Sequence, residues 1–349
     1  MHMGLLALGL LCFLQPIGRI AADTKHDLVA NPWGFLAGAT SAWTDTFTFG
    51  QLQNQAYGYL FPHGLFFALT APLPDWIAQR LWWWLVLGVG YSGMLLLLRR
   101  LGIIGPFAAL AALLYALSPR SLSTLTTISS ETWPIMLAPW VLWPLIPARL
   151  RLGNIAASIL AVAAMGAVNA TATLAACVPA GLLLAWRLLF DAHQPLHRRF
   201  SQLLLWSVGS ILVSLWWIIP LLILGTYASP FTDFIENATV TTRWLNLAEI
   251  LRGTTSWSPF VDAERQAGRL LVNNPVMIIA TLLVATLGLI GLAGSSRNNR
   301  ATSGDHDGSS DSAGLRNELP LKSYWWVLFG VGLILLGGAS SVTEFLDGP

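Results

Sequence analysis

Three carboxylates, Asp23, Asp27 and Asp45, stand in one polar and aromatic stretch between Ala21 and Gly64, directly after the first apolar segment of the chain. A carboxylate at the edge of a dry surface has its charged form penalised, which raises its proton affinity and suits it to take a proton from a sugar hydroxyl. Lys25 and His26 lie between the first two and could counter a phosphate or tune a neighbouring carboxyl. The four-residue separation of Asp23 and Asp27 brings both to one side if that part of the loop is helical. The bland alternative is a turn cap at Asp23 and a solvated loop acid at Asp27. Asp45, between Thr44 and Thr46, has the setting of a turn or helix start and is a further candidate. Trp33, Trp43 and Tyr57 could stack on sugar faces, although the same residue types also anchor proteins at a membrane interface.

The elements that must hold these groups are membrane helices. Of the 349 residues 55% are hydrophobic and only 10% charged, and the mean hydropathy of +0.62 lies outside the range of a soluble globular chain. The net charge of +2 leaves no basic stripe to neutralise a phosphate backbone, which argues against nucleic acid as a partner. Cys12 and Cys177 fall inside apolar runs, where they read as packing residues. Charge-free stretches place spans near Leu5–Gln15, Leu81–Leu98, Ile103–Leu117, Pro134–Pro147, Ile155–Ala170, Leu174–Trp186, Leu203–Thr226, Val276–Gly294 and Tyr324–Gly338. The expected fold is an all-α polytopic bundle of about nine transmembrane helices. Tryptophans near span ends, among them Trp82, Trp83 and Trp84, read as an interfacial belt.

Arginines sort the connections. Arg99, Arg100, Arg149, Arg151, Arg187, Arg198 and Arg199 sit in the short ones, which are therefore expected in the cytoplasm. The two long connections, 21–80 and 228–274, then lie outside it together with Asp23, Asp27, Asp45 and Glu131. Each is expected to carry an interfacial helix: Gly64–Leu81, interrupted by Pro72 and Pro74, and Thr242–Gly253, which is amphipathic and ended by its glycine. Arg80, Arg120, Arg243 and Arg252 fall near that outer boundary, where a guanidinium can grip a lipid phosphate in two-pronged fashion or simply snorkel. Residues 1–294 are expected to form one membrane core. Ser295–Ser323, rich in Ser, Asn, Gly and Asp, reads as a disordered cytoplasmic linker, and 324–349 as one more helix of a chain that continues in a longer protein. The first helix reads as retained rather than as a cleaved leader, because no basic residue precedes its apolar run and Arg19 sits next to the would-be cleavage site.

No zinc motif, P-loop, dinucleotide fingerprint or nucleophile elbow is present. A divalent cation could be shared by Asp23 and Asp27, but no ligand set demands one. The expected spans hold no ionisable residue, whereas a transporter carries such groups along a midplane pathway. Chemistry at the membrane face fits better than passage through it. A polytopic transporter or flippase of lipid-linked sugars stays as the alternative.

The strings Thr24-Lys-His-Asp-Leu28, Phe49-Gly-Gln51 and Gln55-Ala-Tyr-Gly-Tyr-Leu-Phe-Pro62 resemble the start of the mycobacterial-type α-(1→3)-arabinofuranosyltransferases of the D class, members of the GT-C glycosyltransferase superfamily. The resemblance implies a GT-C-like bundle in the plasma membrane with its active site on the extracytoplasmic face. It implies transfer of arabinofuranose, with inversion, from a decaprenyl-phosphate-linked donor to the arabinan of the cell wall. The superfamily's catalytic acid follows the first helix, and Asp27 is the matching position, with Asp23 beside it. Lys25, Arg243 and Arg252 are then the expected groups for the donor phosphate, and Trp33, Trp43, Asp45 and Tyr57 for sugar. Family members are longer and carry further helices and carbohydrate-binding modules.

Overall fold

The computed structural model describes residues 1–23, 25–45, 49–52, 56–166, 170–191, 194–227, 246–255, 266–294 and 321–346. Most of the expected linker 295–323, the sequence before Asn246 in the second long connection, and Arg243 with it, lie outside the described residues.

Helices stand in every stretch where an apolar span is expected. They are α1 (His2–Phe13), α5 (Asp75–Arg100), α6 (Pro106–Ala116), α8 (Ser129–Leu142), α9 (Leu152–Ala163), α10 (Ala170–Phe190), α11 (Leu196–Tyr227), α14 (Pro275–Gly294) and α15 (Leu321–Leu346). Four of the described ones, α5, α10, α11 and α14, are long and apolar enough to cross a membrane. Between α1 and α5 the chain forms short helices α2 (His26–Ala30), α3 (Pro32–Ala39) and α4 (Leu65–Thr70) and a small antiparallel ribbon, β1 (Trp43–Thr44) with β2 (Gln51–Leu52). Further short helices are α7 (Pro119–Thr124), α12 (Leu247–Arg252) and α13 (Gln266–Asn273).

The chain divides into two compact units, one of residues Met1–Gly181 with Ser201–Ser229 and the other of Leu182–Phe200 with Pro230–Pro349. In the first unit α5 is the central post, packed by α1, α6 and α8. Its apolar length buries Trp82, Trp83, Val86, Leu87, Tyr91 and Leu95. Without a water-driven force inside lipid, such contacts rely on close approach and interhelical hydrogen bonds. Gly90 supplies the approach, since a Cβ there would stand 2.0 Å from the Met136 sulfur of α8. Trp140 of α8 donates to the Val89 carbonyl at 2.9 Å, and Trp84 donates to the Leu5 carbonyl of α1 at 2.8 Å. Trp82 and Trp83 thus face protein rather than the interfacial belt expected of them. Helix α8 contains Pro134 and Pro139. Pro139 cannot donate to the carbonyl four residues back, that of Ile135, and the Tyr115 hydroxyl of α6 supplies the missing donor.

In the second unit α12 begins with Asn246, whose side chain accepts from Glu249 N at 2.9 Å, and ends on Gly253 in the left-handed conformation at φ 70°. That end agrees with the glycine stop expected from the sequence. The run 154–190 is two helices, α9 and α10, and residues 167–169 of its turn lie outside the described set.

Candidate active site

The root of the first long connection is tied to α5. Gln79 reaches the Ala21 backbone with both ends of its amide, accepting from Ala21 N at 2.8 Å and donating to Ala21 O at 2.9 Å. Its neighbour Arg80 donates to Arg19 O at 3.0 Å and stacks its guanidinium 4.4 Å above the Trp83 ring. Both side chains are buried. They convert a polar chain leaving α1 into one of fixed course, because three of its backbone groups, Arg19 O, Ala21 N and Ala21 O, find their partners on α5.

Two residues on, Asp23 is delivered to the first turn of α8. Ser129 N donates to Asp23 Oδ1 at 3.2 Å, and the Ser129 hydroxyl donates to Oδ2. The carboxylate sits at a helix N-terminus, where free N–H groups favour negative charge. Behind it, Trp82 Nε1 donates to Ser129 Oγ at 3.1 Å. Trp82 is in turn the hub of a buried aromatic group, with Trp133 at 5.2 Å, Phe66 at 5.1 Å and His63 at 4.6 Å between ring centroids. His63 is 1% exposed, neither ring nitrogen has a partner, and burial pushes its imidazole down to about 3. It is a neutral packing group at ordinary pH, as a lone histidine beside proline suggests. Beside Ser129, the Ser130 hydroxyl lies 3.4 Å from Tyr59 Oη, and Glu131 forms an ion pair with Arg120 of α7.

The other expected residues are distributed differently. Asp27 occupies the first turn of α2, exposed. Asp23 precedes that helix, so the four-residue spacing does not bring the two carboxylates to one helical face. Lys25 is half-buried between them, and desolvation pushes its ammonium down while the charge of Asp27 opposes the shift. Asn31 closes α2 and opens α3, accepting from Gly34 N at 3.1 Å ahead of Pro32. Trp33 on α3 is 64% exposed, and Trp43 on β1, its ring lying across Gly50, is 54% exposed. Asp45 follows β1 and is exposed, consistent with a turn. Tyr57 is half-buried, and burial pushes its phenol up. Arg252 is buried in the second unit, donating to Thr281 Oγ1 at 2.9 Å and to the carbonyls of Val272 at 2.8 Å and Leu271 at 3.4 Å. Those bonds tie α12 to α13 and α14, which is a structural use of the guanidinium.

Gln79, Ser129 and Trp82 had no signal that marked them in the sequence. Serine before a helix suggests only a cap, and a tryptophan triplet suggests only an interface. Among the described residues no three His, Cys, Asp or Glu side chains gather to hold a metal ion.

Residues 7–303 match the family described as α-(1→3)-arabinofuranosyltransferase, N-terminal GT-C domain. The chain is 48% identical over 291 residues to the α-(1→3)-arabinofuranosyltransferase of Mycobacterium tuberculosis (strain ATCC 25618 / H37Rv), covering 81% of this chain and 20% of the relative. It is likewise 48% identical over 290 residues to that of Mycolicibacterium smegmatis (strain ATCC 700084 / mc(2)155), with the same coverage. Among solved structures, the cryo-EM structure of arabinofuranosyltransferase AftD from Mycobacteria matches with TM-score 0.67 and 41% identity, over 84% of this chain and 20% of that one. The chain therefore spans about a fifth of the length of the relatives it matches.

Proposed function

The chain belongs to the α-(1→3)-arabinofuranosyltransferase N-terminal GT-C domain family, and from that membership we propose that it is the membrane core of an enzyme that transfers arabinofuranose. The donor in this reading is a decaprenyl-phosphate arabinose and the acceptor the arabinan of the cell wall. Transfer occurs on the extracytoplasmic side of the plasma membrane, by a single displacement that inverts the anomeric carbon.

The observation that carries the mechanism is the carboxylate of Asp23, held through both oxygens by Ser129 at the head of α8. Ser129 sets the orientation of the group that is to take the proton. Asp23 takes the proton of an arabinan hydroxyl, the freed oxygen bonds to the anomeric carbon, and the carbon–oxygen bond to the lipid phosphate breaks with oxocarbenium character. The phosphate leaves with the electron pair, and Asp23 later returns its proton to water. Lys25 and Arg243 are the cations proposed to meet the phosphate charge. Trp33, Trp43, Asp45 and Tyr57 are proposed to contact sugar. The resemblance points to Asp27 as base. The geometry favours Asp23, because a general base must be held within hydrogen-bond reach of its target and Asp27 has only the solvated setting of a short helix.

The transporter alternative has less support, since the charge-free stretches read as spans hold no Asp, Glu, Lys, Arg or His for a midplane pathway. Transfer of label from decaprenyl-phosphate arabinose to an arabinan acceptor, assayed for the full chain with Asp23→Asn and with Asp27→Asn, tests the reading. Loss of transfer in Asp23→Asn with expression and detergent melting unchanged is expected. Full transfer by Asp23→Asn, or movement of the lipid-linked sugar across vesicles with no transfer, would overturn it.

A further inference from the structure

We infer that Ser129 and Trp82 are positioning residues for transfer, acting in series to fix the Asp23 carboxylate; the inference rests on the reading of Asp23 as the base. The indole Nε1–H of Trp82 can only donate, and it donates to Ser129 Oγ. A serine hydroxyl has one proton, and with one of its acceptor directions taken by the indole that proton goes to Asp23 Oδ2. The Ser129 backbone N–H takes the other oxygen. Trp82 cannot swing away, because it is 1% exposed and packed against His63, Phe66, Phe67 and Trp133. The order therefore runs from a rigid aromatic core, through one hydroxyl, to the carboxylate that meets substrate. In this way a loop residue acquires the positional precision of a membrane helix.

A purely structural role is the rival, in which Ser129 and Asp23 only cap α8. The two differ in what they do to turnover against affinity and in whether the two residues act through one another. In the full chain, Ser129→Ala is expected to lower kcat about tenfold to a hundredfold, the effect of one hydrogen bond to a charged group, with KM within about twofold. Ser129→Thr, which keeps the hydroxyl, is expected to restore most of that loss. Trp82→Phe is expected to lower kcat severalfold alone and to add almost nothing in the Ser129→Ala background, since a residue acting only through Ser129 has nothing left to act on. Melting in detergent, measured for each variant, separates folding from turnover, and Ser129→Cys, with a weaker donor, should fall between Ser129→Ala and the unaltered chain.

Unchanged kcat in Ser129→Ala would overturn the inference, and so would multiplying effects of the two substitutions, which would make Trp82 a packing residue only. If Asp23→Asn is inactive in either case, the reading of the base stands and the positioning inference alone fails. If Asp23→Asn is fully active, the reading itself fails and the inference goes with it.

Discussion

The root of the first long connection and its outer part are made of similar residues and are held in opposite ways. At the root, Arg19, Ala21 and Asp23 are each bonded to a helix, through Arg80, Gln79 and Ser129. Farther out, Asp27, Trp33, Trp43 and Asp45 stand exposed on short helices and a two-residue ribbon. Placing a proton acceptor needs the first arrangement, because a misplacement of the order of an ångström can cost about a hundredfold in rate. Meeting a sugar or a lipid surface needs only the second, since stacking tolerates adjustment. Aspartate is therefore held or exposed here according to its place in the connection.

Breaking the root should cost most. Asp23→Asn is expected to lower kcat by roughly a hundredfold to ten-thousandfold, the range for loss of a general base, while Asp27→Asn stays within about threefold. Equal losses in the two, measured as initial rates of labelled arabinose transfer, would erase the contrast. Next comes Gln79→Leu, which leaves the Ala21 N–H and carbonyl without their partners, at a local cost of about 1–3 kcal/mol. We expect kcat to fall about tenfold and proteolysis between Arg19 and Lys25 to quicken.

The outer part should respond in affinity instead. Trp43→Ala is expected to raise KM about threefold to fivefold with kcat within twofold, the scale of one aromatic contact. A fall in kcat comparable to that of Gln79→Leu would mean that the ribbon is part of the fixed frame. The smallest effect concerns stability alone. The His63 imidazole has a folded value of about 3 against an ordinary 6.5, so the unfolded chain takes up the proton first as pH falls. Stability from this group is complete above pH 6.5 and is lost progressively as pH drops from 6.5 toward 3. Melting curves at pH 7.5 and 4.5 should show a drop of several degrees that His63→Phe reduces.

Much of the architecture is legible in local sequence. Charge-free runs locate the helices because lipid tolerates no unsatisfied backbone, and the hydropathy signal is correspondingly strong. Gly253 marks the end of α12, because glycine takes the left-handed conformation without strain, and Pro72 and Pro74 mark the break before α5, because proline fixes φ and lacks an N–H. The strings around Asp27 and Tyr57 carry the family resemblance. Less legible is which side of a helix meets protein. Trp82 and Trp83 look like a lipid-facing belt in sequence and are core in the structure, because amphipathic aromatics suit both places. Arg252, expected at a phosphate, also ties helices together, a use of its five donors that nothing local in the sequence marks.

From its residues alone, this chain is determined to be a polytopic helical membrane protein with three carboxylates and several aromatics in the loop after the first helix, and its motifs set its kinship. Folding decides which carboxylate is held. Ser129 stands 106 residues from Asp23, and neither carries a local mark of the other. Periodicity and turn chemistry act over a few residues, whereas a hydrogen bond between a loop and the first turn of a distant helix exists only once α5 and α8 have packed.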